Sequence, residues 1–218
     1  MEPNDTAKPR PRQVEMWIAI DPGQSHSGMV SIRDPRGGDR FVEQAVADAD
    51  NNDALKWIRQ NAKVLRPEVI LIEDMAATGV PCGHALLDTA RWIGRFDNAA
   101  QMAVAEYGGK VVLLARHKVR TLMGVRDDSG ARQAVLEMFK RTGGGKTPQV
   151  GTVKQPGPLY DVTGHSWQAV ALAMAHVVSI TMKTAEACRM KLEWVEEVTD
   201  DDNPFNSAGQ GALHKEQA

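Results

Sequence analysis

Three positions, far apart in the chain, carry the residue types best placed to do chemistry. Asp21 closes an apolar run, MWIAI (16–20), and is followed by Pro22-Gly23. Glu73 closes a second apolar run, VILI (69–72), with Asp74 beside it. His165 opens an alanine-rich stretch, HSWQAVALAMA, with Asp161 shortly before it. A carboxylate at the end of a buried strand is costly unless a cation or hydrogen bonds meet it. Two such carboxylates brought together repel unless a divalent cation lies between them. Oxygen donors of this kind suit Mg2+ or Mn2+. The chemistry such a site serves is in-line displacement at phosphorus.

The elements that must position these groups follow from periodicity. Residues 16–20 read as a buried strand, 28–33 as a second and 41–46 as a third, with a Pro- and Gly-rich turn over 34–39. Strand, turn, strand, turn, strand is an antiparallel meander. Asn51, Asn52 and Asp53 cap a helix in which Leu55, Ile58 and Ala62 recur at helical spacing, and Pro67 ends it. The run 68–73 is almost wholly apolar, as expected of a central strand covered on both faces. A long helix over 84–106, another buried strand over 110–115, a short helix over 117–123 and a helix over 130–140 come next. An alanine-rich helix beginning at Gly164 closes the domain. The economical fold is α/β, a mixed sheet flanked by helices, in which the first and fourth strands lie side by side. That adjacency delivers Asp21 and Glu73 to one place.

The flanks differ in character. Residues 1–14 are polar and Pro-rich and read as a disordered arm bearing Lys8, Arg10 and Arg12. Residues 15–183 form the domain, 184–198 a polar C-terminal helix, and 199–218 a disordered acidic tail opening on Asp200, Asp201 and Asp202.

Composition bounds the function. The chain has 218 residues, 42% of them hydrophobic, and a net charge of −2. That balance does not advertise nucleic acid, although local patches matter more than totals. Cys82 and Cys188 are far apart and outside any CxxC, which gives neither a zinc site nor a disulfide framework and points to a reducing, cytoplasmic setting. No apolar run reaches the ~18 residues of a membrane span. GGGKT (143–147) has Lys140 where a phosphate-binding P-loop needs its first glycine, so no nucleotide cofactor is expected. Residues 141–159 hold five glycines, three prolines and the cations Arg141, Lys146 and Lys154, without an acid. They read as a mobile basic loop reaching for a phosphate backbone. Ser25, His26 and Ser27 either contact a phosphate or form a polar turn. Arg91 and Arg95, one turn apart, either meet DNA phosphates or pair with Asp88 and Asp97. Trp92, Phe96 and Trp167 read as packing groups.

Five stretches carry a resemblance: IAIDPGQSHSG, VILIEDMAATG, LLDTARWIGRF, RQAVLEMF and PGPLYDVTGHSWQAVALAMA. In this order they resemble the phage and prophage branch of RuvC-like Holliday junction resolvases, in the RNase H-like, or retroviral integrase, superfamily. The resemblance runs from about residue 16 to 182. It implies an RNase H-like five-stranded mixed sheet and a Mg2+- or Mn2+-dependent endodeoxyribonuclease that cuts branched DNA, a four-way junction, as a homodimer. The setting it implies is the cytoplasm of a bacterial host. By position, Asp21 matches the first-strand acid and Glu73 the fourth-strand acid. His165 falls where the family has Asp or His at the start of the last helix. Bacterial RuvC proteins carry a further Asp three residues on, where this chain has Gln168. Asp161, Asp74 or Asp128 are the acids that remain to complete the metal site; Asp128 reads equally well as a helix cap. Gln168 also motivates an alternative, a degenerate RuvC-like protein that binds branched DNA without cutting. IDPGQSHSG resembles, too, the first phosphate loop of actin- and sugar-kinase-type ATP-binding domains, but that fold needs two such domains and this chain has room for one.

Overall fold

The computed structural model describes residues 14–76 and 83–201, the last twelve of them as backbone. The basic arm, Cys82 and the tail beyond Asp201 lie outside the described residues. The chain divides into two units, Met1–Val178 and Ser179–Ala218.

The first unit is built on a five-stranded sheet in the order β3-β2-β1-β4-β5. Strands β1 (Met16–Asp21), β2 (His26–Arg33) and β3 (Phe41–Asp50) form the meander. Strand β4 (Val69–Asp74) lies parallel to β1, with Ile18 opposite Ile70 and Ile20 opposite Ile72. Strand β5 (Lys110–Ala115) adds to β4 in parallel; as the edge of the sheet it is only partly covered, not the buried strand its apolar run predicts. The fold class, and the adjacency of the first and fourth strands, are as expected from the sequence.

Helices cover both faces. Helix α1 (Asn51–Leu65) starts one residue after its true cap, Asp50, whose side chain accepts from the Asn52 N–H at 2.8 Å. It ends at Arg66, which adopts a left-handed conformation (φ 46°). Pro67 follows, and the residue before a proline is disfavoured in the α region. Helix α2 (His84–Ala105) runs beside α1. On this side Ile18, Ile20, Met29, Ile70 and Ile72 of the sheet pack with Ala54, Ile58, Ile93, Phe96 and Ala100. Helices α3 (Arg116–Met123) and α4 (Asp128–Met138) follow β5; Asp127 caps α4 by accepting from the Gly130 N–H at 2.8 Å.

Strand periodicity puts the alternate residues, Trp17, Ala19 and Asp21 with Val69, Leu71 and Glu73, on the opposite face. There lies α5 (Ser166–Asp201), whose Ala169, Ala171, Ala173 and Ala175 are buried. The Trp17 ring meets that of His176 at 5.1 Å between centroids. Helix α5 continues without a break through residues 184–198, where a separate polar helix was expected. Within the second unit, residues 181–189 are exposed.

The basic stretch 141–159 is not an open loop. A two-residue hairpin, β6 (Gly151–Thr152) with β7 (Gln155–Pro156), closes it. Backbone bonds from Gly143 to Pro148, Gly157 to Val150 and Leu159 to Gln149 tie it together. Its glycines allow this density: a Cβ on Gly157 would stand 2.3 Å from the Gln149 carbonyl oxygen. The knob is fastened to the start of β3, through Val42 N–H to the Pro158 carbonyl and through Lys140 to Asp39. In the sheet register Phe41 lies opposite Arg33, and Arg33 opposite Met16, so this is the end of the sheet away from Asp21.

One glycine decides how α5 is seated. Gly28 pairs with Asp21 across β1 and β2, and a Cβ there would stand 2.4 Å from the His165 carbonyl carbon. The bare backbone lets His165 lie over the end of the strands. Gly28→Ala is expected to cost about 1–3 kcal/mol in chemical denaturation, the usual penalty for overpacking. Unchanged stability would mean that His165 is not seated on Gly28.

Candidate active site

Each strand delivers its acid by the same logic. An apolar run buries the strand, alternation turns the last side chain toward the α5 face, and the parallel β1–β4 register aligns the two ends. Asp21 is 3% exposed and Glu73 6%. Two buried carboxylates side by side need positive charge, and Arg116 supplies it. Its Nε donates to Glu73 Oε1, and its Nη2 donates to Asp21 Oδ1 at 2.9 Å and to Glu73 Oε2 at 3.2 Å. Arg116 stands one residue beyond the end of β5, the strand parallel to β4. Strand burial does not mark Arg116 as it marks the two acids, because β5 is an edge strand with no fully buried residue.

A second rank of charge lies behind. Asp128, in the first turn of α4, accepts from Arg120 Nη2 at 2.9 Å and stands 3.8 Å from Arg116 Nη1. The cap of α4 is Asp127, so Asp128 is an ion-pair acid. His165 Nδ1 stands 3.4 Å from Asp21 Oδ2, with its side chain 60% exposed. The turn before it is fixed by Ser166, whose Oγ donates to the Thr163 carbonyl at 2.6 Å and accepts from the Thr163 N–H. Arg132 of α4 lies over the Trp167 ring at 4.6 Å.

The loop after Asp21 is held from inside. Ser27 Oγ donates to Asn51 Oδ1 at 2.6 Å, and Asn51 Nδ2 donates to the Gly23 carbonyl at 3.1 Å. Ser27 is fully buried and its hydroxyl is spent on Asn51, so in this structure it shapes the loop. Ser25 is exposed and hydrogen-bonded to the His26 ring.

Other expected residues lie elsewhere. Arg91 pairs with Asp88 at 2.9 Å, and Arg95 lies over Trp92. Arg141, Lys146 and Lys154 belong to the knob fastened at the far end of the sheet. Asp161 is exposed in a left-handed turn (φ 65°), and no hydrogen bond or ion pair among the described residues joins it to the carboxylates. Asp74 turns back to accept from the Met75 N–H at 2.8 Å.

Burial raises the Glu73 carboxyl to about 7, with the nearby Asp21 charge adding to the shift and the Arg116 bonds opposing it. Burial also raises Asp21, against the pull of Arg116. Desolvation works against the charge on Arg116, but its bond to Glu73 and the three surrounding acids hold it above the ordinary arginine value.

The donor chemistry of Asp21, Glu73 and His165 fits a hard divalent cation, and the two carboxylates already gather positive charge between them. Among the described residues, however, no three acid, imidazole or thiol groups converge closely enough to enclose an ion. The guanidinium stands where they would converge. A cavity of about 670 Å³ opens beside Glu73, lined by the apolar Met75, Leu86 and Ile93 and by Arg116, His117 and Arg120.

No family model matches this chain, and no curated protein matches it in sequence. Solved structures do match it in fold. The RuvC structure of Thermus thermophilus aligns with a TM-score of 0.53 at 16% identity, over 78% of this chain and 97% of that one. T. thermophilus RuvC in complex with Holliday junction substrate aligns at 0.51 and 14% identity, over 77% and 96%. The chain therefore shares its fold, a mixed five-stranded sheet flanked by helices, with RuvC.

The raised carboxyl makes a pH prediction for protein held in a chelator. Below about pH 4.5 the unfolded chain and the folded site both keep the Glu73 proton. Between there and about 7 the unfolded chain releases it while the folded site retains it, so stability falls as pH rises, and above 7 the contribution is constant. Thermal melts should show wild type losing stability more steeply than Glu73→Gln across that window. Parallel slopes would show that Glu73 is not raised.

Proposed function

We propose that the protein is a divalent-cation-dependent endonuclease that resolves Holliday and other branched DNA junctions by hydrolysing one phosphodiester in each of two symmetric strands. The observation that carries this reading is the pair of buried carboxylates, Asp21 and Glu73, at the adjoining ends of parallel strands in a RuvC-type fold, with His165 against Asp21. Asp21, Glu73 and His165 would hold Mg2+ or Mn2+, with Asp161 the least supported of the expected ligands. A cation bound there supplies charge to the attacking and leaving oxygens of an in-line displacement. The chain's own residues do the rest. Asp21 and Glu73 set the place, Gly28 seats His165, and the exposed imidazole either completes the cation site or, unbound, takes or gives a proton beside it.

Phosphate contacts would come first from His117 and Arg120 of α3, which line the cavity beside Glu73, from Arg132 of α4 over Trp167, and from Ser25 on the loop after Asp21. Arg91, Arg95 and the knob cations Arg141, Lys146 and Lys154 lie farther out and would meet more distant DNA. A homodimer places two sites for paired nicks. Kinship with the phage and prophage branch, and a bacterial cytoplasmic setting, rest on the sequence motifs alone.

A second reading, junction binding without cutting, draws on Gln168 in place of an acid and on the guanidinium between the carboxylates. One assay separates the two: a four-way junction incubated with Mg2+ or Mn2+, wild type beside Asp21→Asn. Cleavage by wild type and its loss, by at least about a hundredfold, in Asp21→Asn is expected for the nuclease. Tight binding with no cleavage by wild type would establish the binder; cleavage that survives Asp21→Asn would displace the site.

A further inference from the structure

We propose that Arg116 is a built-in counter-cation, one that holds the Asp21–Glu73 pair together and must leave it, toward Asp128, before a divalent ion can take that pair. The inference rests on the cation-site reading above and concerns a residue that reading does not use. Three observations carry it. The guanidinium makes three hydrogen bonds to the two carboxylates, so it occupies oxygens a divalent ion would need. Arginine does not lose its proton in proteins, so the positive charge leaves only if the side chain moves. It is free to move, because the side chain is 45% exposed and sits at the first residue of α3, outside the core.

A destination is already in place. Asp128 spends Oδ1 on Arg120 and turns Oδ2 toward Arg116 Nη1, 3.8 Å away. That separation is an ion pair without a hydrogen bond, one that a small rotation of the guanidinium would close. Charge favours the exchange once both acids are ionised: two carboxylates and one guanidinium then leave a net charge of about −1, which still attracts a dication. Arg116 thus keeps two like charges from repelling each other in a buried site and sets a threshold of cation concentration for its occupation.

The test is Mn2+ binding by calorimetry on the full chain, with wild type, Arg116→Gln, Asp128→Asn and the double variant. Arg116→Gln should bind Mn2+ about tenfold more tightly than wild type or better, because no guanidinium has to leave. In chelator it should melt below wild type, and saturating Mn2+ should raise its Tm by more. Asp128→Asn should weaken binding several-fold, and that effect should shrink in the Arg116→Gln background, where no arginine needs the acid. Equal or weaker binding by Arg116→Gln would overturn the proposal while leaving the cation site standing. No binding by any of the proteins would overturn both. Should Arg116→Gln not fold, the Arg116 Nε–H resonance of wild type decides: it should move on saturation with Mg2+, and an unmoved resonance would refute displacement.

Discussion

Everything at this site depends on one register. Strand β1 pairs in parallel with β4 so that Ile20 lies beside Ile72, and the next outward-turned residues are Asp21 and Glu73. Both acids are more than nine-tenths buried. The arrangement is unfavourable by itself, since each carboxylate has lost water and faces a like charge. The guanidinium of Arg116 answers that repulsion, and Asp128 and Arg120 extend the alternation of charge outward. Because Arg116 is half exposed, its contribution to stability is nearer that of a solvent-screened pair than of a buried one. That moderates its grip and makes an exchange with a dication feasible.

The rest of the fold serves this junction. Apolar residues on one sheet face bind α1 and α2 and fix the strands. On the other face the alanines of α5 let its helix approach closely, and Gly28 removes the side chain that would hold His165 away. The loop leaving Asp21 is tied down by Ser27 and Asn51 rather than by the chain's own turn chemistry.

Much of this was legible in the sequence, for physical reasons that differ by residue. Asp21 and Glu73 could be found because a charge closing an apolar strand is costly and therefore conspicuous. Strand adjacency was expected because first and fourth strands commonly lie side by side in a mixed α/β sheet. Arg116 escaped because a cation after a strand is common on surfaces, and only the β4–β5 register shows that it reaches back to the acids. Ser27 stayed open in the sequence because hydroxyls are ambiguous between loop scaffold and ligand contact until burial is known. The basic stretch 141–159 looked mobile since glycine and proline mark loops; in fact its glycines permit backbone contacts too close for any Cβ. Its attachment beside Asp39 and Val42 depends on long-range contacts that no local pattern encodes.

The most direct measurement of whether Asp21 and Glu73 form a cation centre is a crystal structure of the protein grown with Mn2+, read by anomalous scattering. The expected result is a manganese peak in contact with both carboxylates, with the Arg116 guanidinium moved off them. A map at saturating Mn2+ with Arg116 still bridging Asp21 and Glu73, and no anomalous peak beside them, would contradict it.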